Sequence, residues 1–287
     1  MPTIVILAAG LGSRFGGNKQ LVEFGEKKLT LMEYNLINAV NAGFNRVVFV
    51  IRPEIELLLQ EQILARLPQG LAVEVVMQTL DNLPENCSVA VNRTKPLGTA
   101  HALWCCRKLL NESFAVINAD DFYGAQAFDI LLKQAVKTPN EHLMVAYRVN
   151  NTLSEYGSVN RGLCRLSNNK YLEAIEECED IIQHKEKIIG KISKENTTVE
   201  LAEQSLVSMN CWLFNIDIFP IIKEELVSLM QNADDLKAEC YLPNVVMSQI
   251  LQHHKRVKVL QTSDQWFGLT YGQDSIEVDR KIDMLFC

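Results

Sequence analysis

Residues Ile4 to Leu21 read IVILAAGLGSRFGGNKQL. The apolar, β-branched run Ile4–Ala8 is too short for a helix and reads as a buried strand. It empties into a loop in which Gly10, Gly12, Gly16 and Gly17 free the backbone to turn its N–H groups toward an anion. Arg14 and Lys19 add the positive charge that a polyphosphate requires. The spacing excludes two familiar phosphate loops. Lys19 is followed by Gln20 rather than by Ser or Thr, so this is no P-loop. Phe15 stands where a dinucleotide fingerprint has its third glycine, and no helical pattern starts until Thr30. A merely glycine-rich surface turn accounts for the glycines and leaves Arg14 and Lys19 unexplained.

Working outward, apolar runs alternate with helical patterns. Strands are expected at Val47–Ile51, Ala72–Gln78, Phe114–Asn118 and Leu143–Val149, and helices at Leu31–Ala42, Glu54–Arg66, Gly98–Leu110 and Ala125–Val136. That rhythm is the signature of a wound, mostly parallel α/β sheet. Beyond Asn150 the pattern becomes α+β, with short strands at Gly157–Asn160, Leu163–Leu166 and Tyr171–Ile175. The charged stretch Glu176–Glu200 reads as a solvated loop or insertion anchored by Ile188 and Ile189. A strand over Leu206–Asn215, helices over Ile218–Met230 and Tyr241–His253, and a strand at Val257–Gln261 complete the sheet. Residues 1–287 are therefore taken as one domain, with a nucleotide-binding half (1–150) and an acceptor-binding half (151–287). The EVDRKIDMLF tail reads as an amphipathic helix, and a homo-oligomer contact through it stays open.

Composition bounds the partners. With 28 Lys and Arg against 35 Asp and Glu, the net charge of −7 disfavours a nucleic-acid backbone, which wants a basic face. Eight cysteines are scattered without a CxxC pair, as expected of reduced thiols rather than a disulfide framework or a zinc site. The apolar runs are too short for a membrane span and no basic leader precedes the first strand, so a cytoplasmic location is expected.

The second chemical element is AVINADDFYG, which delivers Asp120 and Asp121 at a strand's carboxyl end, where open α/β sheets bind ligands. Hard carboxylate oxygens there, opposite a phosphate loop, suit Mg²⁺. The competing reading is an N-cap for the helix near Ala125. The third is KPLGTAHAL, with Gly98 at a loop-to-helix junction where backbone without a Cβ can approach a flat base. Thr99 either joins that contact or only caps the helix. Gln78, at a strand end, carries an amide able to read a base edge. His101 lies near these groups, whereas the remaining histidines and the three tryptophans read as structural or exposed.

LAAGLGSRFGGNKQL, Gln78, PLGTA and NADDFYG occur in the order of the sugar-1-phosphate nucleotidylyltransferases, and the chain resembles that family over essentially its whole length. YGSV near Tyr156, AIEE at Ile175, VSMNCWLF at Val207 and ECYLP at Glu239–Pro243 match more loosely. The resemblance implies a Rossmann-like α/β/α fold and a Mg²⁺-dependent, in-line attack of a sugar-1-phosphate oxygen on the α-phosphorus of an NTP, with pyrophosphate leaving. It implies that Leu7, Ala9, Gly10 and Gly12 contact nucleotide, that Arg14 sits on the departing phosphates, and that Lys19 bridges them. Asp120 then holds Mg²⁺, with Asp121 as a further metal ligand. Gln78, Gly98 and Thr99 read the base, and Gly157, Glu176 and Asn210 face the acceptor. The chain departs from the family at Glu176-Glu177-Cys178, which lacks a lysine, and at Trp266-Phe267-Gly268, which lacks a second metal-binding aspartate; either Asp121 or Asp264 substitutes, or one metal is held less tightly. The compact RFGGNKQL also resembles enzymes acting on methylerythritol phosphate and molybdopterin, so another phosphorylated acceptor, phosphocholine included, stays open. The same fold would also serve a non-catalytic sensor of nucleotide or sugar phosphate.

Overall fold

Alternate residues of the first strand, Thr3–Leu7, enter two different cores. Ile4 and Ile6 pack against the helices Leu31–Ala42 and Ala125–Lys137, while Val5 and Leu7 pack against Thr99–Cys105, Ile218–Gln231 and Leu242–Leu251. A strand that is apolar on both faces must be covered on both, so the period-two split of this run creates a three-layer α/β/α architecture. The computed structural model describes residues 2–10, 19–231, 236–269 and 272–286.

Thr3–Leu7 pairs in parallel with Arg46–Ile51 on one side and Phe114–Asn118 on the other, and Ala72–Met77 continues the parallel order outward. Leu206–Phe214 then joins antiparallel to Phe114–Asn118. There the sheet forks, because Leu206–Phe214 pairs with both His142–Arg148 and Val159–Leu166, and Val257–Gln261 lies parallel to His142–Arg148. The βα rhythm of the first half is thus borne out, and the carboxyl ends of the parallel strands meet in one crevice. No described helix is long and apolar enough to cross a membrane.

Local chemistry explains the helix that follows the loop. Thr30 caps it in a reciprocal box: its Oγ1 accepts from the Glu33 N–H at 3.3 Å, and the Glu33 carboxylate accepts from the Thr30 N–H at 2.8 Å. Gly43, at φ 115°, closes the other end with its N–H on Ala39 and Val40 carbonyls.

The expectation for Glu176–Glu200 is corrected. Instead of a solvated loop the segment is sheet: Leu172–His184 runs on as a 13-residue strand, followed by the antiparallel strands Lys187–Ile192 and Thr197–Leu201. Cys178, Ile181, Ile188, Ile192 and Leu201 are buried, so the segment has one apolar side and one charged side. Its high charge concealed that alternation. Ile188 does anchor it, and Ile189 is half-buried.

Candidate active site

The crevice holds two cavities that meet. One, of about 380 Å³, is lined by Leu7–Gly10, Lys19, Gln20, Gln78, Lys95, Gly98, Thr99, Asn118, Asp120, Glu239 and Tyr241. The other, of about 560 Å³, is lined by Asn160, Arg161, Gly162, Glu177, Ser208, Asn210, Asn244 and Trp266, and shares Lys19, Thr99, Asn118, Asp120 and Tyr241 with the first. At the shared wall the Lys19 ammonium sits on the Asp120 carboxylate and also donates to the Leu269 carbonyl at 3.4 Å. Among the described residues, one cation and one carboxylate therefore face both cavities. Gly12 and Arg14 lie outside the described residues, while Leu7, Ala9, Gly10, Lys19, Gln78, Gly98, Thr99 and Asp120 converge on the first cavity.

Several assigned residues work differently from expectation. Gly98 has φ 90°, and a Cβ there would meet the Cys240 carbonyl oxygen at 2.5 Å, so its missing side chain first admits the 238–243 segment rather than a base. That segment is laced to the turn: Cys240 donates to Leu97, Ala100 donates to Cys240, and the Leu242 N–H donates to Thr99 Oγ1 at 3.0 Å. Thr99 consequently ties two segments together and does not cap its helix, whose N-cap is Gly98. Gln78 is buried, with its amide N–H₂ donating to the Gly98 carbonyl at 3.0 Å and lying 3.2 Å from His101 Nδ1. Only its carbonyl oxygen is left for a ligand. His101, fully buried, directs Nε2 at the Asn82 carbonyl at 3.0 Å, which makes it the neutral Nε2–H tautomer, and burial holds its pKa down at about 4. It supports Gln78 and lines neither cavity.

The two neighbouring aspartates have separate environments. Asp120 is partly exposed at the junction. Asp121 is buried, with Oδ2 accepting from Asn118 Nδ2 at 2.9 Å and lying 3.2 Å from the Tyr123 hydroxyl. Burial first, then the Asp120 charge beside it, pushes Asp121 up to about 7. Its second oxygen abuts Gly268, where a Cβ would come within 2.5 Å, so the Asp121 carboxylate fills the space that a side chain at 268 would need. Asp264, the other suggested substitute, lines neither cavity and accepts from the Ala127 N–H at 3.2 Å, capping the Ala125–Lys137 helix. The cap that the competing reading of the sequence gave to an aspartate of the 120–121 pair is supplied by this residue instead.

Asn210, expected to face the acceptor, lines the second cavity by virtue of a bulge. The register slips between Ser208 and Cys211, Asn210 takes φ 62°, and its side chain bonds Asn118 at 2.8 Å and the Trp212 indole N–H at 2.7 Å. Glu176 points to the opposite face of its strand and pairs with Arg165 at 3.6 Å; Glu177 lines the cavity in its place. Gly157 lines neither cavity. Sequence reasoning missed Lys95, Glu239 and Arg161. Lys95 and Glu239, paired at 2.7 Å, border the first cavity from segments 144 residues apart, a proximity that no local pattern encodes.

The comparisons agree with this architecture. Residues 3–267 match the family model described as nucleotidyl transferase. The chain belongs to the nucleotidyl transferase family. Over 263 residues this nucleotidyltransferase is 24% identical to a bifunctional protein GlmU of Staphylococcus haemolyticus, covering 91% of the chain and 48% of that protein, so it spans about half the relative's length. The fold is similar to that of an inositol-1-phosphate CTP transferase of T. maritima (TM-score 0.65, 16% identity, 99% of this chain and 94% of that one). It is equally similar to a UDP-glucose pyrophosphorylase complexed with UDP-glucose (TM-score 0.66, 17% identity, 99% of each chain).

Proposed function

We propose that the chain transfers a nucleoside monophosphate from an NTP to a sugar-1-phosphate or closely related phosphorylated polyol, releasing pyrophosphate. The observation that carries this reading is the meeting of two cavities at Lys19 and Asp120. In-line transfer needs a donor and an acceptor held end to end, with charge stabilisation at the phosphorus between them. Lys19 would lie against the phosphates as negative charge builds, with Arg14 on the departing pyrophosphate. Gln78 and the Gly98 turn would seat the base. The acceptor phosphate is already ionised near neutral pH, so the chain has no need of a general base.

Asp120 fits a divalent cation, since it is an accessible carboxylate at the junction that already holds a cationic group, and Mg²⁺ commonly takes one or two carboxylates plus phosphate oxygens. Mg²⁺ would supply charge neutralisation at the transferring phosphate. Asp121 fits less well, because one of its oxygens is bonded to Asn118 and the other abuts Gly268.

The acceptor cavity supports a polyol phosphate. Asn160, Glu177, Ser208, Asn210 and Asn244 are hydroxyl-binding groups. Trp266, an aromatic face that phosphocholine would need, is covered by the Arg161 guanidinium at 4.6 Å from the ring centre. The names of the similar structures, an inositol-1-phosphate CTP transferase and a UDP-glucose pyrophosphorylase, support the same class. A cytoplasmic location suits such an activity.

The test is pyrophosphate release from each of the four NTPs with glucose 1-phosphate, N-acetylglucosamine 1-phosphate, inositol 1-phosphate and phosphocholine, with and without EDTA. One NTP paired with a polyol phosphate should turn over, and Asp120→Ala should lower the rate by about 10³-fold. If an NTP raises the melting temperature and no pair turns over, the sensor reading replaces this one.

A further inference from the structure

Among the described residues the acceptor cavity has two cations on its walls, Lys19 and Arg161, and of these two Lys19 is the one in an ion pair with a carboxylate. Arg161, on the strand Val159–Leu166, is 8% exposed. Its Nη1 donates to the Asn160 carbonyl at 2.9 Å and its Nη2 to the Thr152 carbonyl at 2.5 Å, and its plane lies over Trp266. These contacts fix the guanidinium in place without neutralising it. Its Nε has no hydrogen-bond partner among the described residues. No described carboxylate forms an ion pair with it, although Asp121, Glu177 and Asp274 lie close enough to be felt.

A buried guanidinium that no carboxylate touches directly costs free energy in the empty protein, and an anion arriving against its Nη groups relieves part of that cost. The forked N–H groups of arginine suit a phosphate's oxygens better than the point charge of lysine does. Lys19 faces the donor cavity and is committed to the shared wall, which leaves Arg161 as the cation belonging to the acceptor side alone among the lining residues.

We propose that Arg161 is the group that binds the phosphoryl anion of the acceptor, selecting phosphorylated over unphosphorylated polyols. The proposal rests on reading this cavity as the acceptor site. It specifies the anion subsite and leaves the polyol to the amide and carboxylate groups around Glu177.

The experiment measures binding separately from turnover. The full chain, as wild type, Arg161→Gln, Arg161→Lys and Glu177→Gln, is titrated by calorimetry and thermal shift with inorganic phosphate, glucose 1-phosphate and glucose. Wild type should bind both phosphates and bind glucose far more weakly. Arg161→Gln should weaken phosphate binding by about 10- to 100-fold while keeping the melting-temperature rise caused by the Mg²⁺-bound NTP, and Arg161→Lys should recover part of the loss. Glu177→Gln, which removes a nearby negative charge without touching the guanidinium, should tighten inorganic phosphate. In turnover, Arg161→Gln should raise the acceptor KM by the same factor and leave the NTP KM within about twofold. Phosphate affinities unchanged in a folded Arg161→Gln overturn the proposal. If that variant does not fold, unchanged phosphate affinity in Glu177→Gln overturns it. Arginine-dependent phosphate binding without turnover of any NTP would sink nucleotidyl transfer and leave the anion subsite standing, whereas turnover with an acceptor KM unmoved by Arg161→Gln would do the reverse.

Discussion

At Gly98 a single missing methyl serves the architecture of the site. Because φ is 90° and the Cys240 carbonyl would lie 2.5 Å from a Cβ, Gly98→Ala should cost about 1–3 kcal/mol in a denaturant melt and raise the NTP KM as the 238–243 segment is pushed off the turn. A wild-type NTP KM in that variant would mean that the segment does not shape the donor cavity. His101 illustrates a different residue-scale effect. It is held neutral between Gln78 and Asn82, and protonation would set an Nδ1–H against the Gln78 amide N–H₂. With its pKa lowered from 6.5 to about 4, its contribution to stability is complete above pH 6.5 and is lost as pH falls through about 4. That window spans up to about 3 kcal/mol. His101→Gln should flatten this part of the stability–pH curve, and a curve parallel to wild type between pH 6.5 and 4 would exclude the histidine as its source. Neither role is legible locally: the sequence brought His101 near the site, but the partners that make it structural lie 19 and 23 residues away.

Elements differ in how openly they announce themselves. The helix Leu31–Ala42 is bounded by Thr30, Glu33 and Gly43, all within reach along the chain, and its start is readable from that spacing. Thr30→Ala should remove about 1–2 kcal/mol, or roughly 2–4 °C of melting temperature per kcal/mol, and leave buried Glu33 with Arg66 as its remaining ionic partner at 3.0 Å. An unshifted melting temperature would contradict the capping box. The strand Leu172–His184 was concealed by its charge, because a sheet with one wet face tolerates Glu and Asp wherever the opposite side carries Cys178 and Ile181. The bulge at Ser208–Cys211 is also silent in sequence. It requires only that Asn210 accept a left-handed backbone, which asparagine does readily, yet it aims that side chain at Asn118.

On the scale of the whole molecule, the proposed function rests on two cavities of different origin sharing a wall. The first cavity is built mostly from the parallel half of the sheet, the second mostly from the antiparallel half, and Leu206–Phe214 joins them by pairing with strands of both. The terminal helix Asp274–Phe286 packs Val278 and Ile282 with Tyr34, Phe122 and Phe267 of its own chain, so much of its apolar face is satisfied internally, with Ile276, Met284 and Leu285 left exposed.

The sequence by itself determined the α/β architecture, the mostly parallel first half and the convergence of Gly10, Lys19, Gln78 and Asp120. Each depends on short-range signals: a period-two apolar run, glycines before a helix, a carboxylate at a strand's end. Only the tertiary structure decided that Asp121 is a buried acid fitted against Gly268, that Glu177 rather than Glu176 lines the second cavity, and that Arg161 lines the same cavity without a direct ion pair among the described residues. Those outcomes depend on strand register and on contacts between segments far apart in the chain. A one-residue shift there exchanges the two faces of a strand without changing the composition at all.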